Sequence, residues 1–305
     1  CLYHEFHPLG ITFNESGICS GCLIHEEKDE IDWDDRLERL KKIISPYKSK
    51  NRGIHDCIVP VTGGRDSFFI VHIVKNMLGL NPLLVNYNTH YSSASGVRNL
   101  SKLVTLFGAD IIKSTPDPKK IKKITRSSLD LMGSIYWHCL AGHTVLPVKT
   151  ASRFRIPLII WGCHQGIDQV GMFSHLDEVE MTRRYRKDHD LMGFEAEDLI
   201  NNSNLKENDL FEYFYPHDSE IEQVGIRGIY LNNYFRWDTM RQHKEMVSLY
   251  NYETRQLKTS FDNCNDIDCL HYSGLHDLIK FLKFGFSKIT DHVSREIRFK
   301  RISRE

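Results

Sequence analysis

The chain has 305 residues, 41% of them hydrophobic and 11% aromatic, with 40 basic side chains against 40 acidic ones. That size suits one large α/β domain with an appendage or two modest domains, and the apolar content excludes a disordered polymer. A zero net charge lacks the basic excess that marks a nucleic-acid footprint, so nucleic acid is not an expected partner.

No run of about 18 apolar residues and no secretory signal pattern are present, which points to a cytoplasmic protein with no membrane segment. The chain opens at Cys1 within a recognisable pattern and stops at Arg301–Glu305 without a helix-capping signal, so both ends are expected to be incomplete. Eight cysteines are too sparse over this length for a disulfide scaffold; reduced thiols, some on a metal, fit better.

The first 25 residues hold three cysteines, three glycines and a proline, and read as a compact turn-rich module. A helix is expected next, from the acidic start Asp32–Asp35 through Leu37, Leu40, Ile43 and Ile44, with Lys41 and Lys42 suiting its C-terminal dipole. Cys57–Val61 is a short apolar run suited to a buried strand, and Asp66–Leu78 a helix. Pro82–Tyr87, Asp110–Ile112 and Ile156–Gly162 read as further strands, with helices over 96–107, 119–132 and 141–154 between them. This alternation predicts a doubly wound parallel α/β sheet that binds ligand at the carboxyl ends of its strands. Beyond about residue 165 the alternation stops, and helices are expected at 191–202, 237–250, 275–284 and 292–303. The predicted layout is therefore a Cys-rich module over 1–30, an α/β domain over 31–175 and a mainly helical cap over 176–305, to which the motifs below assign zinc, ATP and substrate respectively.

Thr62-Gly63-Gly64-Arg65-Asp66-Ser67 joins a strand directly to a helix. Paired glycines let the backbone approach an anion, and the helix start supplies free N–H groups and positive dipole. Thr62 and Ser67 add hydroxyls, and Arg65 a fixed charge. The Walker pattern needs four residues between its glycines, and the dinucleotide fingerprint needs three spaced glycines; this segment has neither. It resembles instead the SGGxDS signature of the PP-loop ATP pyrophosphatases, with Thr62 for the first Ser and Arg65 where Lys is frequent. The resemblance implies ATP cleaved between its α and β phosphates, held by Thr62, Gly63, Gly64, Arg65, Asp66 and Ser67, with Asp66 near Mg2+. It further implies that Asn86, closing the second strand, and Gly162, closing the fourth, lie against the nucleotide. A helix-start carboxylate satisfying backbone N–H groups is the plain alternative for Asp66.

Cys19-Ser20-Gly21-Cys22 is a CxxC turn, and Cys1 can add a third ligand to a tetrahedral structural zinc. An upstream cysteine, His4 or His7 would complete it; a redox pair or free thiols are the plain alternatives. An N-terminal nucleophilic Cys of the glutaminase kind fails on length. Only about 60 residues precede the phosphate loop, whereas a domain needs over about 100.

Several stretches are similar to the N-acetyl sugar amidotransferases of lipopolysaccharide and nonulosonate-type pathways. These are His7–Cys22, Ile160–Gly166, Asp168–Phe173, Trp237–Thr239, Asp266–Cys269 and Thr290–Arg298. Cys163 departs from that pattern, where many members carry Glu. The resemblance implies that the N-acetyl group of a sugar, free or nucleotide-linked, is adenylated through its amide oxygen. Ammonia from a separate glutaminase subunit then displaces AMP and leaves an acetamidino group; a homo-oligomer is compatible with this. Expected catalytic residues are Asp66, Arg65, His164 and Asp168. Expected sugar contacts are His138, Gln165, Trp237, His292 and Arg295, with the polar residues Asp238, Asp268 and His271 nearby. A core role is the alternative for His138 and Trp237, and a solvated ion pair with Glu296 for Arg295. Two rival functions remain open on sequence: a tRNA-thiolating PP-loop enzyme, which would use a cysteine pair such as Cys139 and Cys163 and a basic patch such as Lys119–Lys123, and a non-catalytic nucleotide sensor.

Overall fold

The computed structural model describes residues 1–48, 55–258, 260–263, 267–270 and 274–305; Asp266 and His271 lie outside them. In chain order the elements begin with α1 (Ser20–Glu26), α2 (Trp33–Ile44), β1 (Cys57–Pro60), α3 (Arg65–His72), β2 (Pro82–Tyr87), α4 (Ala94–Phe107) and β3 (Asp110–Ser114). Next come α5 (Pro118–Met132), α6 (Trp137–Phe154), β4 (Leu158–Trp161) and the short helices α7 (Gln165–Asp168) and α8 (Arg183–Tyr185). The remainder comprises α9 (Ala196–Asn202), α10 (Glu207–Leu210), α11 (Asp218–Val224), β5 (Arg227–Tyr230), α12 (Thr239–Tyr250), α13 (Leu275–Phe284) and α14 (Lys288–Arg298).

The sheet order is β3-β2-β1-β4-β5 and every pairing is parallel. Both faces are covered, which is why its central strands are apolar throughout rather than alternating. Val59, Leu84 and Ile160 pack with Phe68, Val71 and Val74 of the α3 segment. Ile58, Leu83, Val85 and Ile159 pack with Val145, Val148 and Ala151 of α6. Chain direction around the sheet reverses at β1, which has β2 on one side and β4 on the other. A ligand crevice therefore opens above the carboxyl end of β1, where the two-glycine turn stands.

The expected helix at 66–78 is realised as α3 followed by a π-helical stretch, Ile73–Met77. The fifth strand departs from the sequence reading, which took the region after about residue 165 as mainly helical and placed no strand there. Arg-Gly-Ile-Tyr is too short and too polar to stand out as a strand, and it pairs because β4 offers an open edge. Gly228 fits there because a Cβ would stand 2.6 Å from that of Met181. Helix bounds shift as well. α6 begins at Trp137, α9 at Ala196, α12 at Thr239 after the Asp238 N-cap, and α14 runs from Lys288 to Arg298 instead of 292–303.

The N-terminal turns dock on α14: Tyr3 Oη donates to Asp291 at 2.8 Å and Leu2 N to Ser294 Oγ at 3.1 Å. Among the described residues no helix is long and apolar enough to cross a membrane.

Candidate active site at the phosphate loop

The loop after β1 is folded by its own hydroxyls. Thr62 N donates to Ser67 Oγ at 2.9 Å, and Gly64 N donates to Thr62 Oγ1 at 3.2 Å. These bonds fix the turn before any ligand arrives. Gly63 has φ +92°, and a Cβ there would meet the Gly96 carbonyl oxygen at 2.4 Å, so glycine is needed for both conformation and space. Arg65 Nε lies 3.2 Å from Asp66 Oδ1, and the Asp66 side chain is 42% exposed toward the cleft.

A segment from the C-terminal region crosses this loop. Ser93 N donates to Asp268 O at 2.9 Å, Leu270 N donates to Tyr91 O at 2.8 Å, and Ser92 bridges Cys269. Asp268 thereby sets its carboxylate 3.2–3.3 Å from where a Gly64 Cβ would stand. A side chain at position 64 would press on that carboxylate.

The loop faces a cleft of about 250 Å³. Thr62, Gly64, Arg65 and Asp66 form one side; Gln165, Asp168 and Gln169 form the second; Lys288, His292, Arg295 and Arg298 of α14 form the third. Basic groups on both loop and helix face one another across it, as a polyphosphate requires. His292 is 2% exposed and its Nδ1 is held by Ser260 Oγ at 2.6 Å, with Asp262 Oδ2 at 3.8 Å. Arg295 pairs with Asp262 at 3.9 Å, while Glu296 pairs with Arg301, so the alternative of a solvated Arg295–Glu296 pair does not form.

Asp168 is fixed from below by Lys28, whose Nζ lies 2.5 Å from Oδ1. Burial pushes the Asp168 carboxyl up, but Lys28 and Arg295 outweigh it and hold the group well below the usual carboxylate range. Lys28 itself is 1% exposed and also donates to Trp237 O at 3.3 Å. Sequence reasoning missed Lys28 and His25, because both sit in a charged run, Glu26–Glu30 and its flank, that reads as solvated surface. It missed Lys288 and Asp291 for lack of any spacing signal, although Asp291 and Arg298 fall in a stretch that carried the resemblance.

The structure separates the remaining expected residues from this cleft. Asn86 is buried and its amide donates to Val61 O at 2.8 Å, pinning β1 to β2. His138 is fully buried, beside Tyr87 Oη (3.3 Å) and Cys139, with burial lowering its pKa to about 3. Trp237 is 2% exposed and packs edge-on against Phe69, a core position rather than a sugar platform. Asp238 caps α12 and bonds Arg301. Gly162 and His164 line a second cavity on the other side of the Trp161–Gln165 turn, and Gln165 lines both.

Cys1, Cys19 and Cys22 converge, with all three sulfurs within 4.8 Å of one another and Cys1 and Cys19 at 3.3 Å. Tetrahedral zinc with Zn–S of about 2.3 Å sets its sulfurs roughly 3.8 Å apart, so the trio fits that ion. Cys22 is pushed down to about 5 by its hydrogen bond with Cys19, aided by Arg298, which favours the thiolate a metal needs. Neither His4 nor His7 joins the group among the described residues: His4 Nε2 bonds Phe284 O at 3.2 Å, and His7 stacks on Phe286.

The third side of the cleft also lies in a region with a family match. Residues 234–305 match the family described as LPS biosynthesis protein WbpG-like, C-terminal domain. The matched region supplies both the Asp268 segment over the phosphate loop and the α14 wall, and the match supports the lipopolysaccharide-biosynthesis side of the resemblance. Among curated proteins none matches the chain in sequence. Solved structures similar to it include the NH3-dependent NAD synthetase from Campylobacter jejuni subsp. jejuni NCTC 11168 in complex with the nitrate ion. That pair shares 15% identity at TM-score 0.36, covering 64% of this chain and 92% of the other. NMN synthetase from Francisella tularensis shares 10% identity at TM-score 0.34, covering 68% and 94%.

Proposed function

We propose that this protein is an ATP-dependent amidotransferase that converts the N-acetyl group of a sugar to an acetamidino group. The observation that carries the reading is the preformed two-glycine loop facing a basic wall that belongs to the WbpG-like domain. Nucleotide binding and sugar-pathway kinship thus meet in one cleft. Residues 1–30 would act as a zinc module, 31–175 as the ATP-binding domain and 176–305 as the substrate-binding region. A cytoplasmic site of action follows from the need for ATP.

In this reading the α3 N-terminus, Arg65 and the α14 cations hold the β and γ phosphates, neutralising charge as pyrophosphate leaves. The sugar amide oxygen attacks the α-phosphorus, the α–β P–O bond breaks, and an O-adenylyl imidate forms. Ammonia adds at the imidate carbon, AMP departs with the former amide oxygen, and one proton passes to pyrophosphate or solvent. Asp66 and Asp268 offer the oxygen ligands that Mg2+ prefers, and the ion would neutralise phosphate charge there. Arg295 and His292 line the cleft where the acceptor amide must meet the α-phosphate, and Asp168, buried against Lys28, orients that wall. Ammonia would come from a separate glutaminase subunit.

Thiolation of tRNA fits less well. Cys139 packs with Tyr136 and Cys269, while Cys163 lies at the end of β4, and burial raises both thiols well above their ordinary value. A nucleophilic thiolate is disfavoured at either site. Lys120 and Lys123 of the basic patch are engaged by Asn208 and Asp209.

Incubation with ATP, ammonium salt and N-acetyl sugars tests the proposal. AMP and pyrophosphate should form in equal amounts, with an acetamidino product by mass spectrometry. AMP formed with tRNA and with no sugar would overturn it.

A further inference from the structure

The second cavity, about 200 Å³, opens at the carboxyl ends of β4 and β5 and is separated from the phosphate cleft by the Trp161–Gln165 turn. Drug-sized ligands occupy roughly 300–1,000 Å³, so this space admits a single ring. Among the described residues, its walls hold several buried polar atoms that make no hydrogen bond. Both ring nitrogens of His164 lack hydrogen bonds although the residue is 1% exposed, and so do Trp161 Nε1 and Arg186 Nε. Buried polar groups are otherwise almost always satisfied. Burial and Arg186 lower the His164 pKa to about 4, which leaves it neutral, with one nitrogen donating and the other accepting.

The cavity is built for a neutral ligand. The Arg186 guanidinium stacks 3.8 Å from the Trp161 ring centroid, donates to Tyr230 Oη at 3.2 Å and lies 3.6 Å from Asp190, so its charge is already met. Among the described residues no lysine lines the space, unlike the phosphate cleft. Trp161, Tyr185 and Tyr230 line the space with aromatic surface, the two tyrosine rings packed 4.2 and 4.6 Å from the His164 ring. Arg186 to Asp190 is a π-helical stretch, a rare geometry concentrated at functional sites. Apolar ring faces with scattered donors and one acceptor suit a pyranose, whose C–H face stacks while its hydroxyls bond.

We infer that this second cavity binds the ring of the N-acetylated sugar, with Gln165 at the passage through which its amide reaches the phosphate cleft. The inference rests on the amidotransferase reading and names where that reaction's acceptor sits. It gives His164 a binding role in place of the catalytic one expected from sequence.

The test uses the full chain and two probes: methyl glycosides of N-acetylglucosamine and N-acetylgalactosamine, followed by saturation-transfer NMR, and a non-hydrolysable ATP analogue, followed by calorimetry. At least one glycoside should bind the wild type. His164→Phe should weaken that binding at least tenfold and leave the ATP analogue within twofold. If His164→Phe fails to fold, Trp161→Phe, which removes the indole N–H together with the five-membered ring, carries the same comparison. Loss of ATP-analogue binding with glycoside binding intact would overturn the inference and give the cavity to the nucleotide base. Absence of glycoside binding to the wild type would also overturn it. Glycoside binding as expected, but no pyrophosphate release with ATP and ammonium, would sink the amidotransferase reading while the site stands.

Discussion

Replacing Lys28 by Met probes how the floor of the cleft is held. The Lys28 ammonium is 1% exposed and meets an Asp168 carboxylate that is 21% exposed. Removing one partner of a buried pair costs about 3–5 kcal/mol, because the other charge stays buried without compensation. Asp168 keeps some solvent contact and the field of Arg295, so the lower end, about 3 kcal/mol, applies. At about 2 °C per kcal/mol for a chain of this size, the melting temperature should fall by roughly 6 °C. Lys28→Met/Asp168→Asn removes both charges and should recover most of that loss, leaving about 1 kcal/mol. Urea unfolding of wild type, both single variants and the double variant gives the coupling directly. The pH dependence has a fixed sign. Asp168 titrates lower when folded than unfolded, so its contribution is present above its unfolded value of about 3.9 and is lost as pH falls below it. The gap between wild type and Lys28→Met should be constant from pH 5 to 8 and shrink below pH 4. A single-variant loss under about 1 kcal/mol, or a double variant as unstable as Lys28→Met, would refute the reasoning.

Gly63→Ala forces a side chain at φ +92° into the Gly96 carbonyl, so the loop must shift; pyrophosphate release should drop on the order of 10²-fold while far-ultraviolet circular dichroism stays unchanged. Burial lowers both His25 and His138 to about 3, so each is neutral when folded and charged in the unfolded chain below about pH 6.5. Their stability contribution is present above that pH and lost as it falls; acidifying from pH 6.5 to 5 should remove up to about 2 kcal/mol per histidine, read by melting at each pH. The purified protein should carry about one zinc per chain. Cys19→Ser or Cys22→Ser should abolish it by metal analysis, and a metal-free wild type with unchanged melting would count against a structural zinc.

The phosphate loop was legible in the residues themselves because its requirements are local. Two glycines, a preceding apolar strand and a following helix start fall within nine positions, and backbone sterics then dictate the turn. Strands β1 to β4 were legible for a related reason: a sheet covered on both faces needs continuous apolar runs. Cys1, Cys19 and Cys22 were legible as a cluster because short turns bring them together. What the local pattern could not supply is which distant groups face the loop. His25 and Lys28 sit in a charged run, and only the docking of α1 beneath α7 and α14 buries them. β5 carries Arg and Gly and becomes a strand because β4 has a free edge. Trp237, Asn86 and His138 have side chains suited to binding, yet packing turns each inward, and a residue type alone does not reveal its direction. His164 and Gln165 were found by their place at a strand end, but sequence could not separate them; the turn between β4 and α7 points His164 into one cavity and lets Gln165 border two. Composition and spacing thus determined the two-glycine loop and the sheet beneath it. Tertiary packing alone decided the partners across the cleft, because those contacts join residues more than a hundred positions apart whose proximity no local rule encodes.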